Sequence, residues 1–114
     1  MPDATTTVAT LREAVRRFNA ERHWEPYHSP KNLAMGLACE AAEVMEHFLW
    51  VDCEPSRAVV HDPAKLAAVA EEVADVACHL FNLTNALGID LSDALAAKMV
   101  KNALKYPAPG GHQP

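Results

Sequence analysis

Several things are scarce in this sequence, and each scarcity removes a class of protein. Glycine occurs four times in 114 residues and aromatic residues make up 6%, while half of the chain is hydrophobic. The core must therefore come from Ala, Leu and Val, a composition that suits a helical bundle. No segment alternates apolar and polar residues with period two, so no strand is expected. Cysteine appears as Cys39, Cys53 and Cys78, an odd number without a C-x-x-C spacing. Nothing there suggests an oxidising compartment, and the apolar helical contexts of Cys39 and Cys78 predict buried, inert thiols. There is no signal peptide and no apolar run long enough to cross a bilayer, so a cytoplasmic protein without a membrane partner is expected. Positive charge is also short: ten Lys and Arg against fifteen Asp and Glu leave a formal charge of −5. That disfavours a duplex nucleic acid partner, and an anionic small substrate has to arrive with a metal ion. A chain of this length suffices for one compact domain.

What the sequence does contain is punctuation for four helices. Residues 1–7 read as a loose polar tail, followed by a first helix with apolar Val8, Leu11, Val15 and Phe18 that ends before Pro26. Ser29-Pro30 and Asp62-Pro63 each pair an N-cap with a proline at the first helical position. They open a second helix running to about Trp50 and a third running to Gly88, a suitable C′ residue. Residues 51–62 read as a loop. Asp90 or Ser92 caps a fourth helix with apolar Leu91, Leu95, Met99 and Ala103, ended by Tyr106-Pro107. Residues 108–114 read as a disordered tail. The expected fold is a small all-α domain of four helices. Leu49, Trp50, Val51, Val59 and Val60 would be exposed in a monomer, which points to a homo-oligomer.

The acids carry the chemistry. In the second helix Leu33, Leu37, Ala41, Val44 and Phe48 share an arc of about 80°. Glu40 falls on the edge of that arc, and Glu43 lies one turn along beside it. In the third helix Leu66, Val69, Val73, Val76, Leu80, Leu83 and Leu87 keep a 3-4 spacing. Glu72 and Asp75 flank that seam, and His79 and Asn82 continue the line. If the two helices pack antiparallel along these seams, four carboxylates converge. Acids beside a buried face must be protonated, paired or metal-bound. An all-oxygen set of this density suits Mg²⁺ or Mn²⁺. A di-iron bundle would want Glu-x-x-His, but Val44 and Val76 stand three before His47 and His79. No Cys/His spacing fits zinc.

Other groups admit two readings. Lys98, Asn102 and Lys105 form either a solvated stripe or a phosphate clamp. Trp24, Tyr27, His28 and Trp50 either plug the ends of the bundle or form a slot in which a nucleobase stacks. Glu46 and Glu71 point toward solvent or support the metal ligands. His47 lies close to the acid line, where it can hydrogen-bond. His23, His61 and His112 read as surface.

Taken together, five pieces resemble one family. They are His28-Ser29-Pro30-Lys31-Asn32-Leu33, Glu40-Ala41-Ala42-Glu43, Phe48-Leu49-Trp50, Glu71-Glu72-Val73-Ala74-Asp75-Val76, and Lys98-Met99-Val100-Lys101-Asn102 followed by Lys105-Tyr106-Pro107. In this order they resemble the all-α nucleoside triphosphate pyrophosphohydrolases of the MazG-like superfamily, and within it the single-domain dCTP pyrophosphatases. The resemblance covers about Val8 to Pro107. It implies hydrolysis of a (deoxy)nucleoside triphosphate between its α- and β-phosphates, dCTP or a modified dCTP first. It implies that Glu40, Glu43, Glu72 and Asp75 bind Mg²⁺; Glu43, and Glu46 as a base that one more turn of helix brings near the metal line, are the catalytic candidates. It also implies that Trp24, His28, His79 and Trp50 surround base and sugar, that Lys98, Asn102 and Tyr106 reach phosphates, and that dimers or tetramers form. Two positions depart from the pattern: Val51-Asp52 follow Trp50 where a basic residue is common, and His79 stands where a tyrosine is expected. Two other functions stay open, house-cleaning of other noncanonical nucleotides and a non-enzymatic helical adaptor whose acids form salt bridges. The adaptor predicts no stabilisation by divalent metal.

Overall fold

The computed structural model describes residues 1–109. Among them there are helices and no strands, in the order 3-10 turn, α1 (Val8–Glu21), 3-10 turn, α2 (Pro30–Glu46), α3 (Cys53–Ser56), 3-10 turn, α4 (Pro63–Leu87) and α5 (Leu91–Lys105). All-α is therefore the observed class. The expected loose start contains a 3-10 turn at Asp3–Thr5. His112 and most of the predicted C-terminal tail lie outside the described residues.

Helix starts follow local chemistry. The Thr7 hydroxyl accepts the Thr10 N–H at 3.1 Å, so the cap sits directly before Val8. Ser29 accepts the Asn32 N–H at 3.2 Å and Asp62 the Lys65 N–H at 3.1 Å, each just ahead of its proline. Asp90, not Ser92, caps α5, accepting the Asp93 N–H at 2.9 Å. Gly88 ends α4 at φ 65°, a left-handed conformation that glycine adopts without strain.

Two expectations are corrected. Helix α2 stops at Glu46, and residues 47–50 continue only as turns. The stretch expected as a loop carries α3 and a 3-10 turn at Arg57–His61. Its Pro55 sits inside the first turn of α3, where a missing N–H costs nothing.

The body is α2 against α4, with α1 also packed on α4, while α5 makes only slight contact with the rest. Gly36 meets His79, and His47 meets Lys65 and Glu72, so rising numbers on α2 oppose falling numbers on α4. The pair is antiparallel, as the seams require. Burial is shallow. Among the described residues Leu33 is the only buried apolar residue, joined by the polar Asn19 and Thr84. Within the α4 seam Val69, Val76, Leu80 and Leu83 are half-buried, but Leu66, Val73 and Leu87 face outward. Cys39 and Cys78, expected inside, are exposed, as is Cys53, and all three are free thiols. Small Ala-rich helices leave room beside a thiol that a heavier core would close.

Candidate metal and nucleotide site

Antiparallel packing of α2 on α4 brings Glu40 and Glu43 opposite Glu72 and Asp75. One carboxylate oxygen from each lies within 4.8 Å of all the others. Glu40 and Glu72 are the half-buried members, Glu43 and Asp75 the exposed ones. The Oε2 atoms of Glu40 and Glu72 are both buried and find no hydrogen-bond partner among the described residues. Orphaned acceptors beside two more carboxylates are a costly arrangement unless a cation is bound. The donor set is all oxygen, which fits a hard divalent ion.

The charges disturb one another. Burial pushes the Glu40 carboxyl above its usual range, with the nearby Glu43 charge adding to it. For Glu72 a hydrogen bond with the Glu43 carboxyl leads, followed by burial, and the direction is again upward. Two carboxyls share a hydrogen bond only when one holds a proton, so the metal-free cluster retains protons more tightly than free glutamates do. Glu46 stands outside this group: it is the last residue of α2 and exposed. Glu71 is exposed as well. His47 does approach, with its Nε2 3.9 Å from Glu72 Oε1 while Lys65 Nζ donates to its Nδ1 at 3.1 Å.

Beside the acids lies a cavity of about 440 Å³ between α1, α4 and the α1–α2 connector. Asp75 belongs both to the acid group and to this cavity's wall. Trp24, His28 and His79, expected around a base, line it with Phe18, Asn19 and Asn82. Trp24 stands edge-on to Phe18 at 5.6 Å and to His28 at 6.4 Å. His79 is held through Nδ1, which donates to the Asp75 carbonyl at 3.1 Å, and its ring lies on Gly36, where a Cβ would sit 2.7 Å from Cδ2. Burial pushes the Cys78 thiol upward, with the Asp75 and Glu40 charges adding to it, so this cavity-lining sulfur is a poor nucleophile.

Other expected residues are not gathered here. Trp50 is 95% exposed, on the turn after α2, and does not line this cavity. It is not a core plug either, because α2 ends four residues before it and its own side chain stands open. Lys98 is exposed on α5, Asn102 and Tyr106 are half-buried, and Lys105 Nζ lies 5.3 Å from the Tyr106 ring. None of them lines the cavity beside the acids. Phe18 and Asn19 are the site residues that the sequence reading passed over. Phe18 read as a core position of α1, and an asparagine beside it gave no signal.

Comparison with known proteins bears on this arrangement. A model of the MazG-like family matches residues 37–114, a span that contains all four acids. Human dCTP pyrophosphatase 1 is 38% identical over 103 residues, covering 90% of this chain and 60% of that protein. The Bos taurus dCTP pyrophosphatase 1 is 35% identical over 101 residues, covering 89% of this chain and 60% of its own. This chain thus spans about 60% of the length of the curated relatives it matches. The crystal structure of a pyrophosphatase from Archaeoglobus fulgidus is 34% identical and superposes with a TM-score of 0.81, over 94% of this chain and 98% of that one. With the four-acid geometry on the α2–α4 pair, these matches establish that the chain belongs to the MazG-like family.

Proposed function

We propose that the 114 residues act as one MazG-like unit that hydrolyses a (deoxy)nucleoside triphosphate, dCTP foremost, to the monophosphate and pyrophosphate. The observation that carries the reading is the four-carboxylate group with two orphaned buried oxygens, sharing Asp75 with an aromatic-walled cavity. The relatives' names, dCTP pyrophosphatase 1 and a pyrophosphatase, support the same reading. Glu40, Glu43, Glu72 and Asp75 would hold Mg²⁺, or Mn²⁺ in its place. Bound there, such an ion would neutralise the triphosphate and lower the pKa of water near the α-phosphorus. Water oxygen bonds to that phosphorus, the bond to the α–β bridging oxygen breaks, and pyrophosphate leaves. Trp24, His28 and His79 orient base and sugar and exclude water from that side.

Assembly belongs to the same proposal. The single chain exposes 8759 Å², against about 6,100 Å² for a folded monomer of its mass. The excess is what a chain in an obligate oligomer hides. Leu95, Met99, Val100 and Leu104 of α5 and the outer row of α4 are exposed and apolar. A homodimer or homotetramer covers them and brings Trp50, Lys98, Asn102 and Tyr106 of one copy toward the cavity of another. Glu46, at the edge of α2, serves as a base there if a neighbouring copy screens it. Three free thiols, and no described helix long and apolar enough to cross a membrane, accord with a cytoplasmic setting.

The test is chromatographic. The chain is incubated with dCTP and Mg²⁺, and dCMP plus pyrophosphate is the expected product pair; dCDP plus phosphate, or no turnover, refutes the reading. A panel of modified and other nucleotides separates dCTP control from house-cleaning by the ranking of kcat/KM.

A further inference from the structure

Asn19 is only 8% exposed, yet its one side-chain hydrogen bond among the described residues is to another amide: Asn19 Nδ2 donates to Asn82 Oδ1 at 2.6 Å. The pair bridges α1 and α4. It lines the 440 Å³ cavity on one side and a smaller cavity of about 290 Å³, walled by Arg16, Glu25 and Asn85, on the other. One turn along α4, Asn85 is different. Its oxygen accepts Arg12 Nε at 2.9 Å and its amino group donates to the Arg12 carbonyl at 3.2 Å, so its orientation is locked at both ends. Among the described residues no further hydrogen bond locks the side chains of Asn19 and Asn82. An amide carries an acceptor at one end and a donor at the other. Whichever way the couple is turned, one bond closes it and one carbonyl and one amino group are left over. Turning both amides by half a revolution keeps the bond between them and exchanges the two leftover groups.

We propose that the Asn19–Asn82 pair reads the hydrogen-bonding edge of the base and, by reversing as a unit, takes 4-amino- and 4-oxo-pyrimidine nucleotides alike. The two edges differ in the same sense as the two states of the pair. Cytosine presents an amino donor beside a ring-nitrogen acceptor; uracil presents a carbonyl acceptor beside a ring N–H donor. The inference rests on the reading of the larger cavity as a nucleobase site. Buried amides left unpaired are costly, so a pair that always finds a partner tolerates both bases, whereas a locked pair rejects one.

A carboxylate accepts and never donates. In Asn82→Asp, Asn19 must donate to the new carboxylate; in Asn19→Asp, Asn82 must. Either variant keeps the bond across the couple but leaves two acceptors over and no amino group, so the exchange of donor and acceptor is lost. The ratio of kcat/KM for dCTP to that for dUTP is expected within tenfold in the wild-type chain. Each variant should raise KM for both nucleotides tenfold or more, because the cytosine ring nitrogen and the uracil 4-carbonyl each then meet an acceptor. Calorimetric affinities for dCMP and dUMP should move the same way, and melting curves report whether each variant folds. If a carboxylate prevents folding, Asn82→Ser, which keeps a small reversible donor and acceptor, should leave the wild-type ratio within threefold while raising both KM values. A wild-type preference beyond tenfold, or an Asp variant that folds and loses only one of the two nucleotides or neither, overturns the proposal while leaving the hydrolase reading intact. Failure of the wild-type chain to bind or cleave any nucleotide overturns both.

Discussion

Glu43 stands between the two acids whose protons are held hardest: it raises both Glu40 and Glu72. Replacing it with Gln removes that charge while keeping its shape. Glu43→Gln is expected to abolish Mg²⁺-dependent pyrophosphate release and to raise the melting temperature of the metal-free protein. Undiminished turnover in this variant would remove the four-acid site from consideration. The same charges set a pH dependence. A carboxyl whose pKa is higher folded than unfolded binds its proton more tightly in the native chain. Its contribution to stability is complete below the ordinary value of 4.5 and is lost as pH climbs through the raised one. The metal-free protein should therefore melt at progressively lower temperature from pH 4.5 upward, and saturating Mg²⁺ at neutral pH should restore the loss. A metal-free melting temperature that rises over that window would contradict the shifts.

At the scale of elements, the α2–α4 contact depends on one missing side chain. A Cβ on Gly36 would meet His79 Cδ2 at 2.7 Å and Nε2 at 2.9 Å. That ring is also tied to the Asp75 carbonyl and cannot swing away freely. Two effects oppose each other in Gly36→Ala. Helix propensity favours alanine by about 0.5–1 kcal/mol, whereas forcing a methyl into a filled contact costs about 1–3 kcal/mol. The clash should win, lowering stability and raising KM as His79 shifts in the cavity wall. In a His79→Ala background the same change should become neutral or stabilising. Equal effects in both backgrounds would show that the ring is not what the glycine accommodates.

At the scale of the molecule, exposed apolar surface is the dominant fact. A radius of gyration of 16.8 Å exceeds the roughly 13 Å of a compact chain this long. Sedimentation at micromolar concentration should report a dimer or larger, and Leu95→Arg with Met99→Arg, on the uncovered side of α5, should dissociate it and lower its melting temperature. A fully active monomer would defeat the idea of shared sites. Trp50, 95% exposed in one chain, has no core role to lose. Trp50→Ala should therefore spare the chain the roughly 3–5 kcal/mol of a core truncation. If it stacks on a base in a neighbouring copy, KM rises about five- to a hundredfold, from roughly 1–3 kcal/mol of stacking. An unchanged KM would exclude Trp50 from the base site.

Much of this was legible in the chain itself. Helix starts at Ser29-Pro30 and Asp62-Pro63 and the stop at Gly88 depend on neighbours within four residues, so sequence alone determined them. The meeting of Glu40 and Glu43 with Glu72 and Asp75 was equally readable, because i, i+3 acids beside two apolar seams have one antiparallel solution. Tertiary structure decided the rest. Asn19 finds Asn82 across 63 positions and Gly36 finds His79 across the helix pair, contacts with no periodic signature. The exposure of Cys39, Cys78 and Val73 was likewise beyond reach. An apolar stripe looks the same in sequence whether its own chain or another covers it. Burial belongs to the packed surfaces, and only their arrangement in space says which side is left open.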